Sequence, residues 1–571
     1  MSTLSNGDIS DLMELRGRVT RSIEDLQRGV PLEWYRAAVL EILRTLDQAQ
    51  LHMMANGEWP ELWLERVRFG MVRLLALFMS NTADGDPSAG PSSEQRAEWA
   101  GSTLVRCGTL TVISLLADYA ATGLAALRKT APNQYTMNIL HSDAGVEALE
   151  RADMNWWRNH IAASQHSEEM QISGREEEIR KRIALAIQAR MSIDEEDDEN
   201  EDDAEVDEYF ESLAVLQAER MVGYDYFPDH VLLGGVEFLN YKRAVVALVR
   251  WALYECNRVD VYLELLSTPI DSVQAREIVT PTINRKHVVD LFSEALNIDD
   301  VRASRITEMF TMDEAFATTR YSAIPSVAVP PLVSIGADHI AVSLHGCLNA
   351  PFQFLLARLR AAYPEDWRSA ANQNEAVFRG ELYDLFPGDR FLCVSREIKL
   401  YHEKRELTDI DAFILDRETG AVGIFQLKWW FTFGAGMRER SSGAKNLAEE
   451  AAEWIQRVQW WISHYGLDAL ANVAGLRRSD RKRLQRPRLF VVGRNFVHFS
   501  GQAPAEDAVA RGTWYQILRL TVEDFASDIS VDTLWEALRR DSPHRRIRPG
   551  APRTIISAGD FEVVIEGYEG G

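Results

Sequence analysis

Cysteine is scarce. Four occur in 571 residues, Cys107, Cys256, Cys347 and Cys393, none close to another. That spacing excludes a CxxC metal knuckle and a dense disulfide framework, and it predicts a reducing, cytoplasmic setting. No GxxxxGK phosphate loop, HExxH or GxSxG occurs, which excludes a P-loop ATPase, a zincin and a nucleophile-elbow hydrolase. Met1–Thr20 lacks a basic start followed by an apolar core, so no signal peptide is expected. Long apolar runs are wanting too. The most apolar, Thr109–Leu127, carries Asp118 at its centre, which costs about 2.5–3.5 kcal/mol on insertion. It reads as a buried helix of a soluble domain, with no membrane partner.

Positive charge is also in short supply. Lys+Arg number 62 against 86 Asp+Glu, for a net charge of -24. A protein coated with phosphate contacts over its whole surface is excluded, but a local nucleic-acid site is not, because the charge is uneven. Met191–Phe210 holds twelve acids and no base, whereas Ala371–Ser500 holds 20 Lys+Arg and 17 Asp+Glu. A near-neutral to basic module is embedded in an acidic chain.

Length predicts about three to five domains. Residues 1–192 read as a helical domain, with Leu32, Tyr35, Ala38, Val39 and Leu43 at helical spacing, a loop at Asp84–Ser93 and a helix start near Ser93. The acidic run 193–208 reads as a solvated linker or, alternatively, as an intramolecular mimic of nucleic acid covering a basic groove. Residues 209–330 form a second helical region, with Tyr241–Cys256 its clearest buried helix. After the Pro-rich joint Ile324–Pro331 the texture changes, and 331–571 reads as an α/β domain with its core at about 371–500. The predicted fold class is therefore α followed by α/β: a large all-helical N-terminal region, then a domain with a central mixed sheet.

The informative segment is Asn372–Trp430. A helix (NQNEAVFRGELYDLF) ends at Pro387-Gly388-Asp389. Strands are expected at Arg390–Leu400, Thr408–Asp416 and Ala421–Trp430, the last two joined by the turn Arg417–Gly420. Side chains alternate along a strand, so Asp409 and Asp411 share one face of the second strand, and Gln426 and Lys428 share one face of the third. In a hairpin, Asp411, Gln426 and Lys428 can converge. A carboxylate and an amide oxygen suit Mg²⁺ with its waters and a substrate phosphate, and a lysine can orient an attacking water. That chemistry is phosphodiester hydrolysis. Gln426 in an apolar run needs partners if it is buried, whereas Asp411 and Lys428 could each be plain surface residues.

Asp…Gln-x-Lys across a hairpin, after a helix carrying Glu, resembles the PD-(D/E)xK restriction-endonuclease-like nuclease superfamily, and the Gln-x-Lys form is similar to its Mrr-type branch. The resemblance covers about 130–170 residues of the C-terminal half and none of the helical region. It implies Asp411 as the metal-binding carboxylate, Gln426 and the backbone carbonyl of Leu427 beside it, and Lys428 as the catalytic lysine, with Mg²⁺ or Mn²⁺ as cofactor. It also implies a glutamate on the first helix. Glu375 shares the stripe of Phe378, Leu382 and Phe386 at 100° per residue and is preferred over Glu381. Asp409 is a helper or alternative. Gln426 stands where Glu or Asp is commoner, which removes one negative charge and leaves an inactive relative open.

Arg438, Arg440 and Lys445, in or just after a Gly/Ser-rich loop at Thr432–Gly443, are candidate phosphate contacts. So are Arg477, Arg478, Arg481, Lys482 and Arg483 of the basic run Arg477–Arg488; both segments could equally be ordinary surface loops. The helix Asn446–Tyr465 follows, with Trp454, Val458 and Trp461 on one core-facing stripe. The expected function is Mg²⁺-dependent endonucleolytic cleavage of DNA, and the joined helical region makes a bacterial defence effector against phage or foreign DNA the expected setting, by analogy of architecture. The helical region would sense, recruit or self-associate, as a homo-oligomer or with a partner protein. An RNA nuclease and a catalytically inactive nucleic-acid-binding protein remain the alternatives.

Overall fold

The computed structural model describes residues 6–57, 61–79, 91–140, 146–192, 203–320, 328–429, 437–499, 508–525, 529–546 and 553–566. The protein is a mixed α and β structure, mainly helical, with several small sheets.

The first unit begins with the helices Asn6–Arg28, Tyr35–Asn56, Glu61–Met79 and Glu94–Ala121. The last starts where expected, with the Ser93 side chain accepting from Arg96 N. Among the described residues it is the one helix long and apolar enough to cross a membrane, and 56% of its most apolar stretch is buried inside the protein. Its Asp118 is ion-paired with Arg16. The expected continuation of this helix to Leu127 is corrected. Gly123, at φ 82, turns the chain, and Ala125–Ala131 and Gln134–Ile139 form an antiparallel hairpin. Ala125, Leu127, Tyr135 and Met137 alternate inward onto Leu12, Leu15 and Val19. The region is therefore not all-helical. The hairpin's second strand also pairs in parallel with Phe561–Glu566, whose antiparallel partner is Thr554–Ala558. This C-terminal hairpin thus completes the N-terminal unit rather than the C-terminal domain.

Residues 193–202 of the acidic run lie outside the described residues. Asp203 caps the helix Ala204–Glu219 by accepting from Glu205 N and Val206 N, so the expected linker is helical from 204 on. Its acids pair with Arg182, Arg175 and Arg250 of neighbouring helices.

The second region is built on the long helix Phe238–Leu265, buried along Tyr241, Val245, Leu248 and Ala252. It is not purely helical either. Thr282–Asn284, His339–Val342, Leu332–Ser334 and Thr311–Met312 form one four-stranded sheet in that order. The expected break at 330/331 thus falls inside a shared unit, because Leu332 and Ile340 pack into the same core as the long helix.

The C-terminal unit starts at the helix Pro364–Asp384. Its five-stranded sheet runs in the order Val509–Thr513, Arg486–Gly493, Ala421–Lys428, Ala412–Asp416, Phe391–Cys393. The last three strands are antiparallel and the first three parallel. One sheet face packs on Phe378, Leu382, Trp514 and Leu534, the other on Trp454, Val458 and Trp461 of the helical segment Met437–Val473, which kinks at Gly466. Two expected strands are each split. Arg390–Leu400 divides into Phe391–Cys393 and Ile398–His402, and Thr408–Asp416 divides at Asp411 into Arg405–Ile410 and Ala412–Asp416. Ile398–His402 and Arg405–Ile410 pair as a separate two-stranded ribbon. Asp411 therefore sits where the chain passes from the ribbon into the main sheet.

Candidate active site

The hairpin strands fix the site by register. Ala412 lies opposite Phe425, and one step further on Asp411 N donates to Phe425 O at 3.1 Å. Phe413, Leu415, Val422 and Ile424 pack on the same core as Trp454, so alternation sends Asp411, Gln426 and Lys428 to that face. The three share that face, and the charge of Lys428 acts on Asp411. The Leu427 amide N–H donates to Asp411 Oδ2 at 2.7 Å, which ties the carboxylate to the strand bearing the amide and the lysine.

Electrostatics at this point are unbalanced. Asp411 is buried, and its pKa is raised to about 7. Burial is the main cause, the Leu427 N–H opposes it, the charges of Glu375 and Asp409 raise it further, and Lys428 lowers it. The Glu375 pKa is raised by desolvation as well, then by Asp409 and Glu397, against the pull of Lys428. Glu375 has an exposed side chain on the first helix, and it is the preferred helix glutamate that shares its field with Asp411. Gln426 is buried, and among the described residues its Oε1 has no hydrogen-bond partner. An orphaned buried amide oxygen costs about 1–3 kcal/mol, which marks the point where a donor or a cation would fit.

Lys428 is within 3.4 Å of Glu450 Oε2. Sequence reasoning missed Glu450, although it lies one turn before Trp454 on the same helix stripe, and i,i+4 spacing was the signal. Trp454 Nε1 donates to Asp409 O at 2.7 Å and pins the ribbon to the long helix.

Glu381 is corrected as the alternative glutamate. It is ion-paired with the buried Arg494, which also holds Asp225, and Arg494 lies over the Phe378, Trp429 and Trp514 rings. Arg494 N donates to Lys428 O at 2.8 Å, so this pair braces the strand end rather than joining the carboxylates.

The predicted phosphate contacts divide. Residues 430–436 lie outside the described residues. The expected loop is helical from Met437, which puts Arg438 and Arg440 on helix backbone, with side chains outside those described. Lys445 is exposed and pairs with Glu449 at 3.6 Å. The run Arg477–Arg488 is not brought to the site. Ala421 pairs with Arg486 and Lys428 with Gly493 in the parallel ladder, so the basic residues enter at the opposite end of the sheet, about 23 Å away at ~3.3 Å per residue. Arg481 and Arg483 there donate to the backbone carbonyls of Leu476 and Arg417, while Arg477, Arg478 and Lys482 are exposed.

Among the described residues no group of three His, Cys, Asp or Glu side chains is arranged to hold a metal ion. The donor set at the hairpin is Asp411, the Gln426 amide oxygen and the Leu427 backbone, with Glu375 nearby. It is all oxygen, which fits Mg²⁺ or Mn²⁺ bound through one or two carboxylates and completed by water and phosphate. No protein-family model, curated protein or solved structure matches the chain.

Proposed function

We propose that this protein is a metal-dependent endonuclease of the PD-(D/E)xK, Mrr-like kind, acting on DNA. The observation that carries the reading is the buried Gln426 Oε1, without a partner among the described residues, on one sheet face with Asp411 and Lys428. The order of elements supports it: helix, antiparallel strands, long helix, parallel strand. Asp411 and Gln426 would hold Mg²⁺ or Mn²⁺, with Glu375 holding a metal-bound water. A divalent cation there supplies charge neutralisation and a more acidic bound water. Lys428 donates to the attacking water or a phosphate oxygen and offsets the charge that develops on phosphorus. Glu450 holds the Lys428 ammonium in place. Joined to so large a helical region, such an activity fits an effector against phage or foreign DNA, on analogy of architecture alone.

A second reading has its own observation. The lack of a three-acid group among the described residues favours a nucleic-acid-binding protein that has lost catalysis. Plasmid cleavage with Mg²⁺ or Mn²⁺, run beside Lys428→Ala, separates the two. Nicking or linearisation by the wild type alone supports the nuclease. Binding without metal-dependent turnover on plasmid or structured RNA supports the second reading.

A further inference from the structure

At a second place in the molecule, well apart from the carboxylates, two exposed arginines stand together. Arg66 and Arg106 line a pocket of about 480 Å³ with Ser102, Thr109, Ser557 and Gly559. Acids outnumber bases by 86 to 62 in this chain, yet among the described residues neither guanidinium has a hydrogen-bond or ion-pair partner. Asp560, next to the pocket in sequence, pairs instead with Arg18 at 3.3 Å.

Backbone contact builds this seam. The helices Glu61–Met79 and Glu94–Ala121 cross at two glycines. A Cβ on Gly70 would stand 2.4 Å from Leu104 O, and one on Gly108 would stand 1.6 Å from Arg66 O. Only glycine allows so close a crossing, and it brings the Arg66 and Arg106 segments together. The third wall is the turn of the C-terminal hairpin. Gly559, at φ 67, presents bare backbone, with Arg106 Nη2 3.7 Å from where its Cβ would lie.

The donors select the ligand. Ser102 and Thr109 give their hydroxyl protons to Trp99 O and Val105 O at 3.0 and 2.8 Å. The donors left are the two guanidinium forks and Ser557, so an occupant must be rich in acceptors and negative. Paired guanidiniums match phosphate oxygens bidentately, and the volume is in the range of pockets for small molecules, about 300–1,000 Å³.

We propose that this pocket binds a phosphate oxyanion carried by a ligand of nucleotide size, at a site separate from the hairpin carboxylates and independent of the nuclease reading. Occupancy would bridge the N-terminal helices and the C-terminal hairpin.

The test is calorimetric titration of the full chain at low salt with inorganic pyrophosphate, with ATP, and with an oligonucleotide carrying hydroxyl ends. The wild type is compared with an R66Q/R106Q variant, whose changes are at exposed helix positions. At least a tenfold rise in the pyrophosphate Kd of the variant is expected. A matching loss with ATP assigns the phosphate to a free nucleotide, and a matching loss with the oligonucleotide assigns it to a strand. Equal pyrophosphate binding by both proteins, or binding by neither, overturns the proposal. If the double variant melts lower than the wild type, R106Q alone gives the same reading.

Discussion

Two buried aspartates in this protein have pKa values raised to about 7, and their surroundings are opposite in kind. Asp47 lies between the first two regions and is fully buried. Neutral donors surround it: Thr280 Oγ1 at 2.7 Å, Ser343 Oγ at 2.9 Å and the His345 amide at 2.9 Å, together with the Leu344 amide. Asp411 has the Leu427 amide, one positive neighbour in Lys428, two negative neighbours, and on the same face an amide oxygen without a partner among the described residues. Burial raises both values. What differs is whether the protein itself satisfies the carboxylate. Asp47 ties its helix to segments 233 to 298 residues away in one polar knot, a structural use. At Asp411 the two negative neighbours outnumber the one lysine, which suits a group that would take a cation. A raised pKa alone does not separate the two uses; the neighbours do.

The largest expected effect that would break this contrast is catalytic. Lys428→Ala should lower metal-dependent cleavage at least ~100-fold with unchanged thermal melting, whereas Asp47→Ala should leave intrinsic chemistry alone and destabilise the fold. Next comes stability. Asp47→Ala orphans several buried donors and should cost on the order of 3 kcal/mol, read as a lower melting temperature. Asp411→Asn at pH 8 without metal should melt at or above the wild type, because it removes a poorly compensated buried charge. Equal losses in the two variants would erase the distinction.

A smaller effect concerns pH. Both carboxyls keep a proton in the folded state that the unfolded chain releases near pH 4, so each makes folding less favourable as pH rises from about 4 to about 7. A cation must displace that proton at Asp411. Mg²⁺ binding should weaken below about pH 7 and release up to about one proton there, measured by calorimetry in buffers of different ionisation heat. Asp47→Asn should leave this release unchanged. The smallest effect is at the basic run. Replacing Arg478 and Lys482 by Ala should change cleavage by less than about twofold, since those residues stand at the far end of the strands from Lys428 and beyond a Debye length of about 8–10 Å. A large loss would mean that a strand tracks across the whole sheet.

Strand alternation was enough to bring Asp411, Gln426 and Lys428 to one face, because all three lie within or next to a single short hairpin. Glu450 needed a helix docked on that face. The place of Arg477–Arg488 needed the sense of the returning strand. A parallel crossover carries the chain back to the opposite end of the sheet, and nothing local in a run of arginines records that. The split at Asp411 was hidden because Thr408–Asp416 is one continuous strand-like run, and nothing local shows that Ile410 joins the core of Phe413 while Ala412 and Ile414 join the other. Least legible was the pairing of Gln134–Asn138 with Glu562–Glu566, since hydrophobic pattern shows that a strand wants a partner but not which one.

That pairing sets a clock on synthesis. The Gln134–Ile139 strand emerges from the ribosome with one edge open, and the strand that covers it is made about 400 residues later, roughly 20–80 seconds at 5–20 residues per second. Through that interval the N-terminal unit is a sheet without its closing half, and a bare strand edge invites pairing with other chains. The segment that forms the carboxylate site is made before the hairpin Thr554–Glu566, so translation delivers that site first and the clasp that seals the N-terminal sheet afterwards.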